Sequence, residues 1–304
     1  MSALGQPRAV GPLRDQREYI GTLHRDLQSC GSSRRDPVPL EPPRTLRGGL
    51  GLSKIIRRRL PRTMPPALRE LARAIRAGDG AVTVGLPVAE TALIVAPHPD
   101  DETVLAGGTA AALAAEGCRV HVVVATDGEA TRGSTLSDAR IREARRREVA
   151  AACRVLGAEE PTLLGHPDGG LEGLREGLTT DLDEVLGRIR PQVVFVPWWL
   201  DGHPDHRAVC RSLADAEIGG MEIWCGEVWT ALVPNRIVDY TAFADVKESA
   251  LGEHHTAAEA IDLSAFLGRD RFRSLAGLRG VGTAEAFVVL DAAGFRAEVA
   301  AAHG

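Results

Sequence analysis

Ala92-Leu93-Ile94-Val95-Ala96-Pro97-His98-Pro99-Asp100-Asp101-Glu102-Thr103 decides how the rest of the chain is read. Residues 93–96 form a short apolar run with β-branched members, the composition of a strand buried on both faces of a parallel sheet. Pro97 has no N–H to donate to a ladder, so the strand ends there. From Thr103 the pattern turns helical: Val104, Ala111, Ala112, Leu113 and Ala115 precede a stop at Gly117. One imidazole and three carboxylates therefore sit between the C-terminal edge of a strand and the start of a helix. Open α/β sheets bind ligands at that edge. Three acids and a histidine packed into five residues repel one another unless a cation joins them, and a metal ion is the obvious candidate.

Working outward, strands and helices alternate. A strand at 120–125 leads into Thr126-Asp127-Gly128-Glu129. A helix at 138–156 keeps Ile141, Ala144, Val149, Ala152 and Val155 on one face and stops at Gly157. A strand at 162–164 precedes Gly165-His166-Pro167-Asp168-Gly169-Gly170. A helix at 178–189, a strand at 193–196 and a fifth apolar stretch at 222–232 complete the series. This alternation predicts an α/β fold, a Rossmann-like and mainly parallel sheet with helices on both faces. Right-handed crossovers would bring all these loops to one rim. The expected organisation is one catalytic domain over 86–304 behind an N-terminal arm over 1–85. The arm is rich in Gly, Pro, Ser and Arg and largely irregular, with a short amphipathic helix near 66–77. Its basic run Lys54-Ile55-Ile56-Arg57-Arg58-Arg59 reads as a solvated face or a contact for an anionic surface.

Composition narrows the function classes. The 304 residues carry a net charge of -5, which speaks against nucleic-acid binding by bulk charge. Aromatic residues make up 4%, so the core must be aliphatic. No stretch approaches the ~20 apolar residues of a membrane span, and no export signal is read at the N-terminus. Cys30, Cys118, Cys153, Cys210 and Cys225 are odd in number and lack a CxxC pair, which predicts reduced, mostly buried thiols in a cytoplasmic protein.

A second cluster matches the first: Trp198-Trp199-Leu200-Asp201-Gly202-His203-Pro204-Asp205-His206 also follows a strand and precedes a helix. His203 and His206, three apart, share a face at the helix start. Two His-Pro-Asp clusters at strand edges can meet at a topological switch point. Neutral imidazole and carboxylate ligands suit Zn²⁺, and a catalytic zinc keeps three protein ligands with a place for water. His98, Asp101 and His206 would supply that set, which other divalent ions such as Fe²⁺ also accept. The chain has no Walker loop, no GxSxG elbow, no GxGxxG turn after the first strand and no HExxH helix.

Ala96-Pro97-His98-Pro99-Asp100-Asp101-Glu102 together with His203-Pro204-Asp205-His206 closely resembles the PIG-L/LmbE-like zinc N-deacetylases, which act on N-acetylglucosaminyl compounds. The resemblance runs over about 90–290. Arg145 and Glu148, then Ala152 and Leu156-Gly157, resemble the family's R-x-x-E…A…LG helix. Lys247, Ala250-Leu251 and His254 resemble its K-x-x-A-L-x-x-H helix; Thr256-Ala257 stands where Ser-Gln is often found. Arg279-Gly280 with Ala284-Glu285-Ala286-Phe287 resembles its RG…AEAF segment.

The resemblance implies a zinc hydrolase that removes an N-acetyl or other N-acyl group from a small sugar conjugate. A metal ion on His98, Asp101 and His206 activates water, Asp100 serves as general base, the metal and a protonated His203 stabilise the oxyanion, and Asp100, now protonated, or His203 protonates the departing amine. Asp205 holds an imidazole tautomer or caps the helix. Asp127, Glu129 and His166 are placed to touch substrate hydroxyls. Arg145 binds an anionic group or pairs with Glu143 or Glu148. Trp198 and Trp199 stack on a sugar ring, cover an acyl chain or pack in the core under the loop. Rival readings are an amidase for a larger amide and, more remotely, a non-catalytic nucleotide-binding or regulatory module. A homo-oligomer is compatible with the sequence.

Overall fold

The computed structural model describes residues 83–131 and 136–303. The arm's basic run and the helix expected at 66–77 lie outside the described residues. Eight strands form one sheet: β1 Thr83–Val84, β2 Thr91–Ala96, β3 Arg119–Thr126, β4 Thr162–His166, β5 Val193–Pro197, β6 Glu222–Gly226, β7 Arg236–Asp239 and β8 Ala284–Asp291. Their order is β1-β7-β8-β6-β5-β2-β3-β4. All run parallel except β8, which is antiparallel to both β6 and β7. The expected mainly parallel sheet is present. Residues 83–85, assigned to the arm by composition, instead begin with the edge strand β1, paired with β7.

The helices, numbered in chain order, are α1 Asp101–Ala115, α2 Asp138–Leu156, α3 Arg175–Ile189, α4 Pro204–Asp215, α5 Ala244–Gly252, α6 His255–Ala258, α7 Ser264–Arg273, α8 Leu275–Leu278 and α9 Ala292–His303. Alternation along β2 shows how the layers form. Leu93 and Val95 join a core with Leu182 of α3, Val209 and Leu213 of α4 and Phe295 of α9. Ala92, Ile94 and Ala96 join the opposite core with Leu105 of α1, Val149 of α2 and Phe266 of α7. Both faces of the strand are buried, hence its unbroken apolar run.

From β2 the chain moves outward to β3 and β4, then returns to add β5 on the other side of β2. The loops after β2 and β5 therefore diverge at a switch point, which opens a crevice between them. Both His-Pro-Asp clusters noted above sit there.

The C-terminal third is locked beneath α1 by buried charge. The α1 backbone breaks at Ala106 (φ −149°, ψ 21°). A break leaves carbonyls and N–H groups without helical partners. Lys247 Nζ and Arg269 Nη2 donate to the Val104 carbonyl at 3.2 and 2.9 Å. The Gly108 and Thr109 N–H groups each donate to Glu285 at 2.8 Å. Lys247 Nζ also lies 2.6 Å from both Asp270 and Glu285. Gly108 is required here: a Cβ would fall 2.2 Å from the Tyr240 ring. The family-like K-x-x-A-L and AEAF segments thus meet at the break, where Glu285 caps the second half of α1 from another strand.

Lys247→Met removes the cation and leaves two buried carboxylates facing each other, at a cost of about 3–5 kcal/mol. A fall in Tm on the order of 10 °C is expected at pH 7 by calorimetry. Burial raises the Asp270 pKa, but Lys247 and Arg269 outweigh it and hold the carboxyl below its usual range. Its stabilisation is therefore complete above the ordinary carboxyl pKa and is lost as pH falls through the lowered one. The gap between wild type and variant should narrow below about pH 4; a gap that stays constant would show that the ion pair is not its source.

Candidate active site

The turn after β2 is tight. The Asp100 and Asp101 N–H groups donate back to the His98 carbonyl at 3.0 and 3.2 Å. Asp101 opens α1, and its Oδ2 accepts from the His98 N–H at 2.9 Å. The same oxygen lies 3.0 Å from His98 Nδ1 and 3.2 Å from His206 Nε2. His206 comes from the first turn of α4, after β5. All three side chains are buried. Although His206 Nε2 is within ion-pair distance of Asp101, it makes no aligned hydrogen bond. A buried imidazole nitrogen left without a hydrogen bond beside a shared carboxylate oxygen is the arrangement of a ligand set, and these donors fit a divalent ion.

Each imidazole is held from behind. His98 Nε2 is 3.3 Å from Asp205 Oδ2 and 3.2 Å from Asp168 Oδ1. His206 Nδ1 is 3.2 Å from Asp201 Oδ1. Asp205 is fixed in turn by the Gly169 and Leu171 N–H groups at 2.7 and 3.2 Å. Such carboxylate–histidine pairs set ring orientation at metal centres. The helix N-cap is His203, whose Nδ1 accepts from the Asp205 N–H at 3.2 Å; Asp205 does not cap.

The charges follow from these contacts. Burial opposes protonation of His98, but Asp101, Asp168 and Asp205 outweigh it and raise its pKa well above the usual imidazole value. His206 is likewise pushed up to about 9, with Asp101 the main counter to burial. Burial works to raise the Asp101 pKa, yet His206 and His98 hold it well below the usual carboxylate range. For Asp100 burial wins: its pKa is raised despite Arg145. His203 moves the other way, lowered by burial and by the neighbouring His98 and His206. With Nδ1 accepting from the Asp205 N–H, the arrangement favours the His203 tautomer that carries its proton on Nε2.

His203 also comes close to the ligand set. Nitrogens of His98, His203 and His206 lie within 4.8 Å of one another. One atom each from His98, Asp168 and Asp205 forms a second such group. Asp101 presents one oxygen to two ring nitrogens, while His203 Nδ1 is engaged with the Asp205 backbone.

Residues 93–217 match the family PIG-L: GlcNAc-PI de-N-acetylase. The fold is shared with N,N'-diacetylchitobiose deacetylase from Pyrococcus horikoshii, at TM-score 0.59 and 26% identity over 67% of this chain and 85% of that one. A 1D-myo-inositol 2-acetamido-2-deoxy-alpha-D-glucopyranoside deacetylase of Rhodococcus jostii is 35% identical, with 45% of this chain and 57% of that protein aligned. The chain thus spans little more than half the length of that relative. A protein of the same description from Acidothermus cellulolyticus is 31% identical over 58% of this chain and 75% of that protein. The chain belongs to the PIG-L family.

Within the PIG-L frame the softer motifs acquire partners. Glu102, third acid of the first cluster, turns away from the crevice to His254 at 2.9 Å. Glu148 accepts from the Thr256 N–H and hydroxyl at 3.1 and 2.7 Å, so threonine makes these contacts where serine is often found. Arg145 pairs with neither Glu143 nor Glu148. Its Nη2 donates to Asp100 Oδ2 at 2.9 Å and to the Pro99 carbonyl at 2.8 Å, and its Nη1 to the Gly128 carbonyl at 3.0 Å. His166 is taken up by Asp181 at 2.8 Å. Asp127 and Glu129 stand at the rim opposite Arg146 and Arg142, at 3.5 and 3.7 Å. Trp198 and Trp199 follow the packing alternative: both are buried in the core, and Trp199 packs edge-on against Phe295. Asp168 and Asp201 were not picked out as site residues. The available signal for Asp168 was a third His-Pro-Asp triplet, His166-Pro167-Asp168.

Gly128 explains the Asp-Gly-Glu turn. Its φ is +66°, and a Cβ there would lie 2.6 Å from the Arg145 guanidinium. Gly128→Ala should push Arg145 off Asp100 and lower turnover by as much as about 10²-fold, the effect of an ångström-scale misplacement. Metal content should stay unchanged. Equal losses of metal and turnover would place the damage at the ligands instead.

Proposed function

We propose that the protein is a zinc-dependent N-deacetylase acting on an N-acetylglucosamine conjugate. The observation that carries this is the single Asp101 oxygen facing His98 Nδ1 and His206 Nε2, with the Asp100 carboxylate beside it. The metal would be held by His98, Asp101 and His206. When bound there, zinc supplies Lewis acidity and lowers the pKa of water toward ~7.

The chain's own groups account for the rest. Asp100 takes a proton at Oδ1 or Oδ2 from the attacking water; its buried setting makes it a stronger base than an exposed aspartate. Arg145 fixes the orientation of that carboxylate. The Nε2–H of neutral His203 donates to the oxygen on which charge develops. Asp100 then returns its proton to the leaving amine. Asp168 and Asp205 keep the His98 ring from turning. The four described cysteines are buried, and buried thiols without a CxxC pair support a reducing, cytoplasmic setting. No helix among the described residues is long and apolar enough to cross a membrane.

The test is amine release, read with fluorescamine, across N-acetylglucosaminides and larger N-acyl amides, with zinc measured on the same sample. Turnover confined to the larger amides would replace the sugar reading with an amidase one. Turnover that does not track zinc content would remove the metal assignment.

A further inference from the structure

The loop after β6 is pinned on every side but one. Asp201, which supports His206, accepts the Trp229 and Thr230 N–H groups on its other oxygen at 3.0 and 3.1 Å. Gly202 N–H donates to Thr230 Oγ1 at 2.8 Å. Glu227, buried, accepts the Leu232 N–H at 2.7 Å and pairs with Arg273. Arg269 donates to the Glu227 carbonyl at 2.8 Å and Arg273 to the Leu232 carbonyl at 2.9 Å. Val228 and Leu232 are buried. The Trp229 indole is not: it is 54% exposed, its ring edge-on to Phe266 at 6.1 Å. The other three tryptophans are 4% exposed or less.

A rigid loop that ends in a half-exposed indole keeps a large apolar face in water at a free-energy cost. β6 runs parallel to β5, so this loop stands on the same rim as the ligand loops. One carboxylate, Asp201, ties the indole's backbone to His203 and His206.

We propose that Trp229 is the platform for the group attached to the reducing end of the substrate sugar, and that this group presents a ring with an apolar face, such as a second pyranose. The inference rests on the deacetylase reading above and names the substrate part that reading leaves open. An indole binds such a ring by face contact without matched hydrogen bonds, so it selects for a ring and not for one stereoisomer. The stacking alternative considered for Trp198 and Trp199 thereby falls to Trp229, at the next strand end.

Two measurements on the zinc-loaded full chain test it. The first compares kcat/KM for N,N'-diacetylchitobiose and for N-acetylglucosamine. Trp229→Ala should lower the disaccharide value about tenfold, mainly through KM, and leave the monosaccharide value within about twofold; Trp229→Phe should restore most of the loss. The second is acrylamide quenching of tryptophan fluorescence, which reports chiefly the one exposed indole. The disaccharide should shield it and the monosaccharide should not. Equal effects on both substrates with no shielding overturn the platform while the deacetylase reading stands. Shielding without amine release from any glycoside overturns the deacetylase reading and keeps the platform. Neither shielding nor release overturns both.

Discussion

Asp100→Asn lowers turnover by about 10³-fold while the protein still binds one equivalent of zinc. The substitution is nearly isosteric, so the turn between His98 and Asp101 keeps its backbone hydrogen bonds. Asparagine Oδ1 can still accept from Arg145 Nη2, the contact that fixes the carboxylate. What is lost is the ability to take a proton. Asp101, one residue on, cannot substitute, because its oxygen is committed to His98 and His206. The check is parallel measurement of metal content and amine release. Turnover within tenfold of wild type would take the base role away from Asp100, and loss of zinc would make it a ligand.

His206→Ala removes zinc and turnover together. Weakening an outer partner of a metal-bound histidine already costs about 10–100-fold in affinity, so loss of the ligand itself should exceed about 100-fold. His206 is fully buried, and the alanine leaves a polar void beside Asp101 and Asp201, two carboxylates that then lack their shared imidazole. Competition with a chromophoric chelator measures the affinity. A variant that still holds zinc stoichiometrically would shift the ligand set to His98, Asp101 and His203, whose ring is already within ligand distance of His98.

Much of this site is local in sequence, which is why it could be read there. The β2 turn and the α4 start each put their chemistry within a nine-residue stretch or less, and strand–loop–helix patterning alone places both at one sheet edge. Helix α2 matched its expected bounds, and Gly157, in the left-handed region at its C-terminal end, is the stop the sequence shows. Long-range relations were not legible. β7 is four residues long, too short to stand out. β8 carries Glu285 among apolar residues, and its antiparallel placement depends on pairing with strands far away in sequence. Nor does composition separate a core tryptophan from a displayed one: Trp198 and Trp229 differ only in what the fold lays over them.

The position of β8 has a consequence for a chain made from its N-terminus. β7 is hydrogen-bonded only to β1 and β8 among the described strands, so the β1–β7 pair has nothing to join until residues 284–291 have been synthesised. Glu285 in that same strand caps the broken α1, whose first residue is Asp101. The most N-terminal half of the candidate site is therefore finished by the last of the described strands to be synthesised. Translation order and assembly order run in opposite directions, and the nascent chain carries His98 and Asp101 long before it can hold them in place.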